Sequence, residues 1–109
     1  MRQTLITGTG SYLPERIITN DDLAACMDTS DEWIRQRTGI GQRHMVAEGQ
    51  KTSDLAIAAG EKALEHAGLN ATDLDCIIIA TTTPDDTFPA TAATVQAGLG
   101  ASLSLIHIS

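Results

Sequence analysis

The sequence predicts an α/β fold, of which the 109 residues supply a part. Three observations carry that prediction. Residues 76–81, Cys-Ile-Ile-Ile-Ala-Thr, are apolar almost throughout and do not alternate, which suits a parallel strand covered on both faces. Residues 53–67 repeat apolar side chains at helical spacing and stop at Gly68. Strand and helix signals also follow one another as β-α-β-α, the order of a layered sheet rather than of hairpins. There are too few strands to complete a covered sheet.

Bulk composition excludes several functions. A hydrophobic fraction of 42% is ordinary for a globular protein. The net charge of −7 argues against general binding to nucleic acid or anionic membranes. No cationic start precedes a long apolar run, so neither a signal peptide nor a membrane span is expected. Cys26 and Cys76 lack metal-ligand spacing and suggest no disulfide framework, which points to the cytoplasm. All Asp, Glu, Lys and Arg lie at or before Asp86, and beyond it His107 is the only titratable side chain. A stretch so poor in charge is expected to be covered by other protein.

Taken in order, residues 4–7 (Thr-Leu-Ile-Thr) read as a first strand. Gly8 to Pro14 follow as a glycine-rich turn. It lacks the third glycine of a dinucleotide fingerprint and the Gly-Lys-Ser/Thr of a P-loop, so a tight turn leaving a core strand is the better reading. Asn20 can cap a helix over 21–27. Ser30 caps the next, with Asp31 and Glu32 in its first turn, and Thr38-Gly39 closes it. On that helix the lone Trp33 stands four residues before Arg37, so both share a face. An aromatic surface beside a guanidinium suits a ligand that is part ring and part phosphate. From these residues alone, however, a packed tryptophan with an arginine passing it is the leading reading.

Residues 40–46 predict a peripheral strand, with Arg43 and His44 on a wet face. Residues 53–67 form the clearest helix. One face carries Ala56, Ile57, Ala59, Gly60, Ala63, Leu64 and Ala67, so it can approach a neighbour closely; His66 falls on the polar side. After the strand at 76–81, residues 81–89 make a polar loop at its carboxyl end, where open α/β sheets bind ligands. Pro89 can then open an uncharged helix over 90–99.

With these elements placed, the chain resembles the N-terminal part of a β-ketoacyl-acyl-carrier-protein synthase III. The resemblance rests on ITGTGSYLPERIITN (6–20), DTSDEWIRQRTGI (28–40) and ATTTPDDTFPATAATVQAGLG (80–100), in that order. It implies the first half of a thiolase-like layered αβαβα fold, with 1–100 a partial N-terminal domain. It also implies an acyltransferase that moves an acetyl or similar group from acyl-CoA to a cysteine. That group is then condensed with malonyl-acyl carrier protein to start fatty-acid synthesis. Coenzyme A enters as a thioester substrate, no cofactor or metal is implied, and the full enzyme is expected to be a homodimer.

Carried over residue by residue, Trp33 corresponds to the family tryptophan that stacks on the adenine of coenzyme A. Arg37 corresponds to an arginine near the same nucleotide, and Thr29 to a residue lining the entrance. The resemblance thus reverses the packed reading of the Trp33–Arg37 pair. Phe88 corresponds to an aromatic at the acyl pocket and dimer interface.

The departure lies at 101–109, where Ala-Ser-Leu-Ser-Leu-Ile-His-Ile-Ser replaces the family's lead-in to the nucleophilic cysteine. Leu103, Leu105, Ile106 and Ile108 could form an apolar strand, but the segment reads as an atypical tail not native to the family. No catalytic residue is assigned. Cys26 lies among Asp21, Asp22 and Asp28, and Cys76 opens an apolar strand; neither setting favours a thiolate, so both are expected to be packing residues. The chain alone is expected to be inactive and to bind nucleotide weakly or not at all. The alternatives are a non-catalytic dimerisation or binding module, and a related condensing enzyme with another acceptor.

Overall fold

The computed structural model of the chain describes residues 3–85, 91–101 and 104–108. They fall into two compact units, residues 13–49 and residues 1–12 with 50–109.

In the first unit, strand β1 (Arg16–Thr19) leads into helix α1 (Asn20–Ala24), followed by α2 (Asp31–Thr38) and strand β2 (Gln42–Met45). β1 and β2 pair antiparallel, Ile17 opposite His44 and Ile18 opposite Arg43. β2 falls inside the anticipated 40–46 strand. Its partner β1 was not anticipated, because four residues are too few to show a period.

The cap of α1 is Thr19 and not Asn20. Thr19 Oγ1 accepts from the Asp22 N–H at 3.1 Å, and the Asp22 carboxylate accepts from the Thr19 N–H at 2.9 Å. This reciprocal pair closes a capping box, and Thr19's backbone bond, with its hydroxyl, holds the Asp22 carboxyl below its ordinary value. α1 ends at Ala24, short of residue 27, where the Cys26 N–H bonds the Leu23 carbonyl only three residues back and so tightens the turn to 3-10 spacing. Asn20 is 1% exposed, and its side chain serves the interior of this unit. Arg43 and His44 are likewise half-buried rather than on a wet face. Arg43 Nη2 donates to Asn20 Oδ1 at 2.8 Å, and His44 Nδ1 lies 2.5 Å from the Pro14 carbonyl. A carbonyl only accepts, so that ring nitrogen carries the proton.

In the second unit, α3 (Thr52–Ala67) is followed by a short 3-10 turn (Ala71–Asp73), β3 (Cys76–Ala80), α4 (Thr91–Leu99) and β4 (Ser104–Ile108). β3 pairs in parallel with β4, Cys76 opposite Ser104 and Ala80 opposite Ile108. The parallel direction agrees with the sequence, and residues 104–108 take the strand conformation their apolar pattern allows. The expected cover on both faces is not found. Ile77 is 9% exposed and Ile78 59%, because α4 packs on the sheet, α3 packs on α4, and among the described residues Ile78 gains no such cover. α4 buries Thr91, Ala92 and Val95.

Residues 4–7 form no strand. Leu5 is 76% and Ile6 87% exposed, and no described strand offers them a ladder, so propensity alone does not order them. The glycines that follow meet α3 closely. A Cβ on Gly10 would lie 2.3 Å from the Ala63 backbone nitrogen, so the turn is a backbone seated on the small-residue face of α3. That face also meets α4, where a Cβ on Gly98 would lie 2.3 Å from Ile57 Cδ1. His66, on the polar side of α3, is not merely solvated, since its Nδ1 accepts from the Thr9 N–H at 3.0 Å.

The loop leaving β3 is tied to the starts of both helices. The Asp85 carboxylate accepts from the Ser53 N–H at 2.9 Å, and the Asp85 N–H donates to Thr91 Oγ1 at 3.1 Å. The Thr52 hydroxyl donates to the Thr83 carbonyl. Burial pushes the Asp85 carboxyl up, but hydrogen bonds from Ser53 more than offset this and leave it below its ordinary value. Phe88, with Pro89 and Ala90, lies outside the described residues.

Candidate functional site

The candidate site is built on α2, and local chemistry fixes that helix. Ser30 Oγ accepts from the Trp33 N–H at 3.2 Å, and Gly39 ends the helix at φ 72°, its N–H bonded to the Arg35 carbonyl at 2.9 Å. The inward position belongs to Ile34, 8% exposed, so the tryptophan beside it turns outward. Trp33 is 53% exposed, and Arg37 Cζ lies 5.1 Å from its ring centroid. The packed-core reading of this pair therefore fails within this unit. An exposed cation–π contact contributes about 0.5–1 kcal/mol, enough to favour a guanidinium beside one part of the ring.

Asp28, Thr29, Ser30 and Trp33 line a cavity of about 320 Å³. Thr29 Oγ1 is buried there without a hydrogen-bond partner among the described residues. Leaving such an oxygen unsatisfied costs about 1–3 kcal/mol, so a ligand that supplied a partner would recover part of that cost. The exposed indole and the Arg37 guanidinium stand together on α2, as their spacing of four predicts, and Thr29, which the resemblance alone singled out, lines the cavity beside Trp33. Together they suit a heteroaromatic ring that carries phosphate.

Charge near the site is divided. Arg35 Nε donates to Asp31 Oδ1 at 2.8 Å. That bond first, and one from Asn20 second, hold the Asp31 carboxyl below its ordinary value. Arg37 takes no part in that ion pair and keeps its charge beside the ring. A second cavity in the same unit is larger, about 630 Å³, and is bordered by Asn20, Asp21, Asp31 and Arg35. Its cation is already engaged and two of its walls are carboxylates, so it is the poorer place for a phosphate. Sequence reasoning missed Asn20, whose bonding partners are brought to it only by the fold.

Nothing described supplies a nucleophile and base. Cys26 and Cys76 are both exposed, which corrects the expectation that they pack. Cys26 lies just past the end of α1, its Sγ 3.5 Å from the Leu23 carbonyl, and Cys76 shares the uncovered side of β3 with Ile78. Among the described residues neither thiol bonds to a histidine, and no group of three or more His, Cys, Asp and Glu is placed to hold a metal. No helix among them is long and apolar enough to cross a membrane.

No protein-family model matches the chain. It is 58% identical over 99 residues to a β-ketoacyl-[acyl-carrier-protein] synthase III of Hyphomonas neptunium, covering 91% of this chain and 31% of that protein. Against the synthase III of Xylella fastidiosa strain 9a5c the identity is 62% over 96 residues, covering 88% and 30%. The crystal structure of 3-oxoacyl-[acyl-carrier-protein] synthase III from Aquifex aeolicus superposes with a TM-score of 0.90 at 46% identity, over 95% of this chain and 34% of that one. The chain thus spans about a third of the length of the relatives it matches. With more than half its residues shared and the same backbone path, it belongs to the β-ketoacyl-[acyl-carrier-protein] synthase III family and represents part of a thiolase-like fold.

Proposed function

We propose that the face of α2 is the nucleotide end of a coenzyme A thioester site. In this reading the adenine stacks on Trp33, Arg37 meets phosphate, and Thr29 Oγ1 bonds to the ligand at the cavity wall. The whole protein, of which this chain is a part, would be a cytoplasmic acyltransferase. It would take an acetyl or similar group from acyl-CoA and condense it with malonyl-acyl carrier protein to begin a fatty acid. It would work as a homodimer, with coenzyme A as substrate and no cofactor assigned. The observation that carries this reading is the 53% exposed indole with a guanidinium 5.1 Å from its centre, in a family of this name.

Magnitudes set the expected affinity. Stacking one base on an aromatic contributes about 1–3 kcal/mol, and a charge-assisted hydrogen bond about 1.5–3 kcal/mol. Ordering the ligand consumes part of this, which leaves a dissociation constant on the order of 1 mM. Titration of the chain with coenzyme A, followed at the Trp33 indole N–H by NMR, is expected to show saturable shifts. Pantetheine, which lacks the nucleotide, is expected to show none. Equal responses to both ligands, or no movement of the Trp33 signal at saturating coenzyme A, would refute the assignment.

A further inference from the structure

We infer that Asn20 is the positioning residue of this site, a role that rests on the coenzyme A reading above. Its side chain spends every hydrogen-bonding group on α2 and its supports. Nδ2 donates to Asp31 Oδ1 at 2.8 Å and to the Ile40 carbonyl at 2.7 Å, and Oδ1 accepts from Arg43 at 2.8 Å. Its backbone N–H adds a bond to the Gly41 carbonyl at 3.1 Å. Asp31 is the first residue of α2, and Ile40 directly follows the glycine that ends it. One amide therefore holds both ends of the helix against β1 and β2, and Trp33 and Arg37 stand between the two holding points.

The interior location makes the clamp stiff. Asn20 is 1% exposed, so water scarcely reaches its own amide, and an amide with its two donors and its oxygen engaged has one orientation. The alternative use of an asparagine here, capping α1, is already filled by Thr19. Asparagine is required rather than aspartate because two acceptors, a carboxylate and a carbonyl, face the same nitrogen. Arg35 closes the same network from α2 itself through Asp31. The clamp sets where the indole and the guanidinium point, and touches neither.

The test uses Asn20→Asp, a substitution of nearly identical shape that turns both donations into repulsion while keeping the acceptor for Arg43. Coenzyme A binding is expected to weaken about fivefold, and the indole N–H resonance of Trp33 to shift and broaden without ligand. Pairing it with Asp31→Asn restores a donor and an acceptor between positions 20 and 31. The exchanged pair is expected to recover part of both signals, which a merely structural loss would not do. Asp31→Ala reads the same bond from its exposed end and is expected to move both signals in the same direction by less. It serves even where Asn20→Asp fails to fold. Unchanged Trp33 signals in Asn20→Asp and Asp31→Ala, or an exchanged pair no better than Asn20→Asp alone, would overturn the inference. Failure of the unsubstituted chain to bind coenzyme A would instead remove the functional reading, while the ligand-free indole signal still decides the clamp.

Discussion

Thr29 carries a buried hydroxyl with no partner among the described residues, beside an indole that is 53% exposed. Those two facts set stability against binding at one residue. Thr29→Val keeps the shape and removes the unsatisfied oxygen, so the chain is expected to gain about 1 kcal/mol of stability. The same change removes a bonding group from the cavity wall, and coenzyme A affinity is expected to fall severalfold. A denaturant midpoint and a titration check the two halves. Loss of stability on substitution would show that the hydroxyl is bonded in solution, and unchanged affinity would place the ligand elsewhere. Trp33 and Arg37 were legible in sequence because spacing of four is a local property of a helix. Neither the burial of the Thr29 hydroxyl nor the bonds of Asn20 was legible. Residues 31, 40 and 43 meet position 20 only after α2 and β2 have folded back.

Helix starts dominate at the scale of elements. Asp22 closes the capping box of α1, Asp31 opens α2 and Asp85 receives the Ser53 N–H at the start of α3. All three carboxyls lie below their ordinary values, Asp22 through Thr19, Asp31 through Arg35, and Asp85 through Ser53 acting against burial. A carboxyl depressed in the folded state binds its proton more readily once unfolded. Its contribution is therefore complete above the unfolded value, about pH 4, and is lost as pH falls through the folded one. Melting temperature is expected to drop steeply below about pH 4, and less steeply in Asp85→Asn. Identical acid-side slopes in the two proteins would remove Asp85 from the account. Ser30, Gly39 and Gly68 were recognisable because each marks its helix end within a few residues. Thr19 was hidden behind Asn20, which offers the same capping chemistry one position later. β1 and the lack of a strand at 4–7 depend on which segments pair, and pairing is not a local property.

At the scale of the whole molecule, the question is what this chain can do when it is purified by itself. Condensation needs a thiolate that accepts the acyl group and polar groups that stabilise the charge developing on carbonyl oxygens. Cys26 is exposed, and its Sγ faces the Asp22 and Leu23 carbonyls, with no histidine bonded to it among the described residues. Cys76 is exposed on β3, beyond the short 3-10 turn that holds Asp73. His44 and His66 have each committed Nδ1 to a backbone group, His44 as donor and His66 as acceptor, so their hydrogen bonds serve the fold and not a cysteine. The purified 109-residue chain is therefore expected to bind coenzyme A weakly yet form no acetyl-enzyme and no condensed product from acetyl-CoA and malonyl-acyl carrier protein. Mass spectrometry after incubation with acetyl-CoA separates the steps, because an acyl adduct would appear even where condensation stalls. A stoichiometric adduct on Cys26 or Cys76, abolished by its substitution with serine, would show a nucleophile that neither spacing nor geometry reveals. Absence of adduct together with Trp33 shifts on titration would leave recognition of the nucleotide on α2 and place the chemistry in residues other than those described.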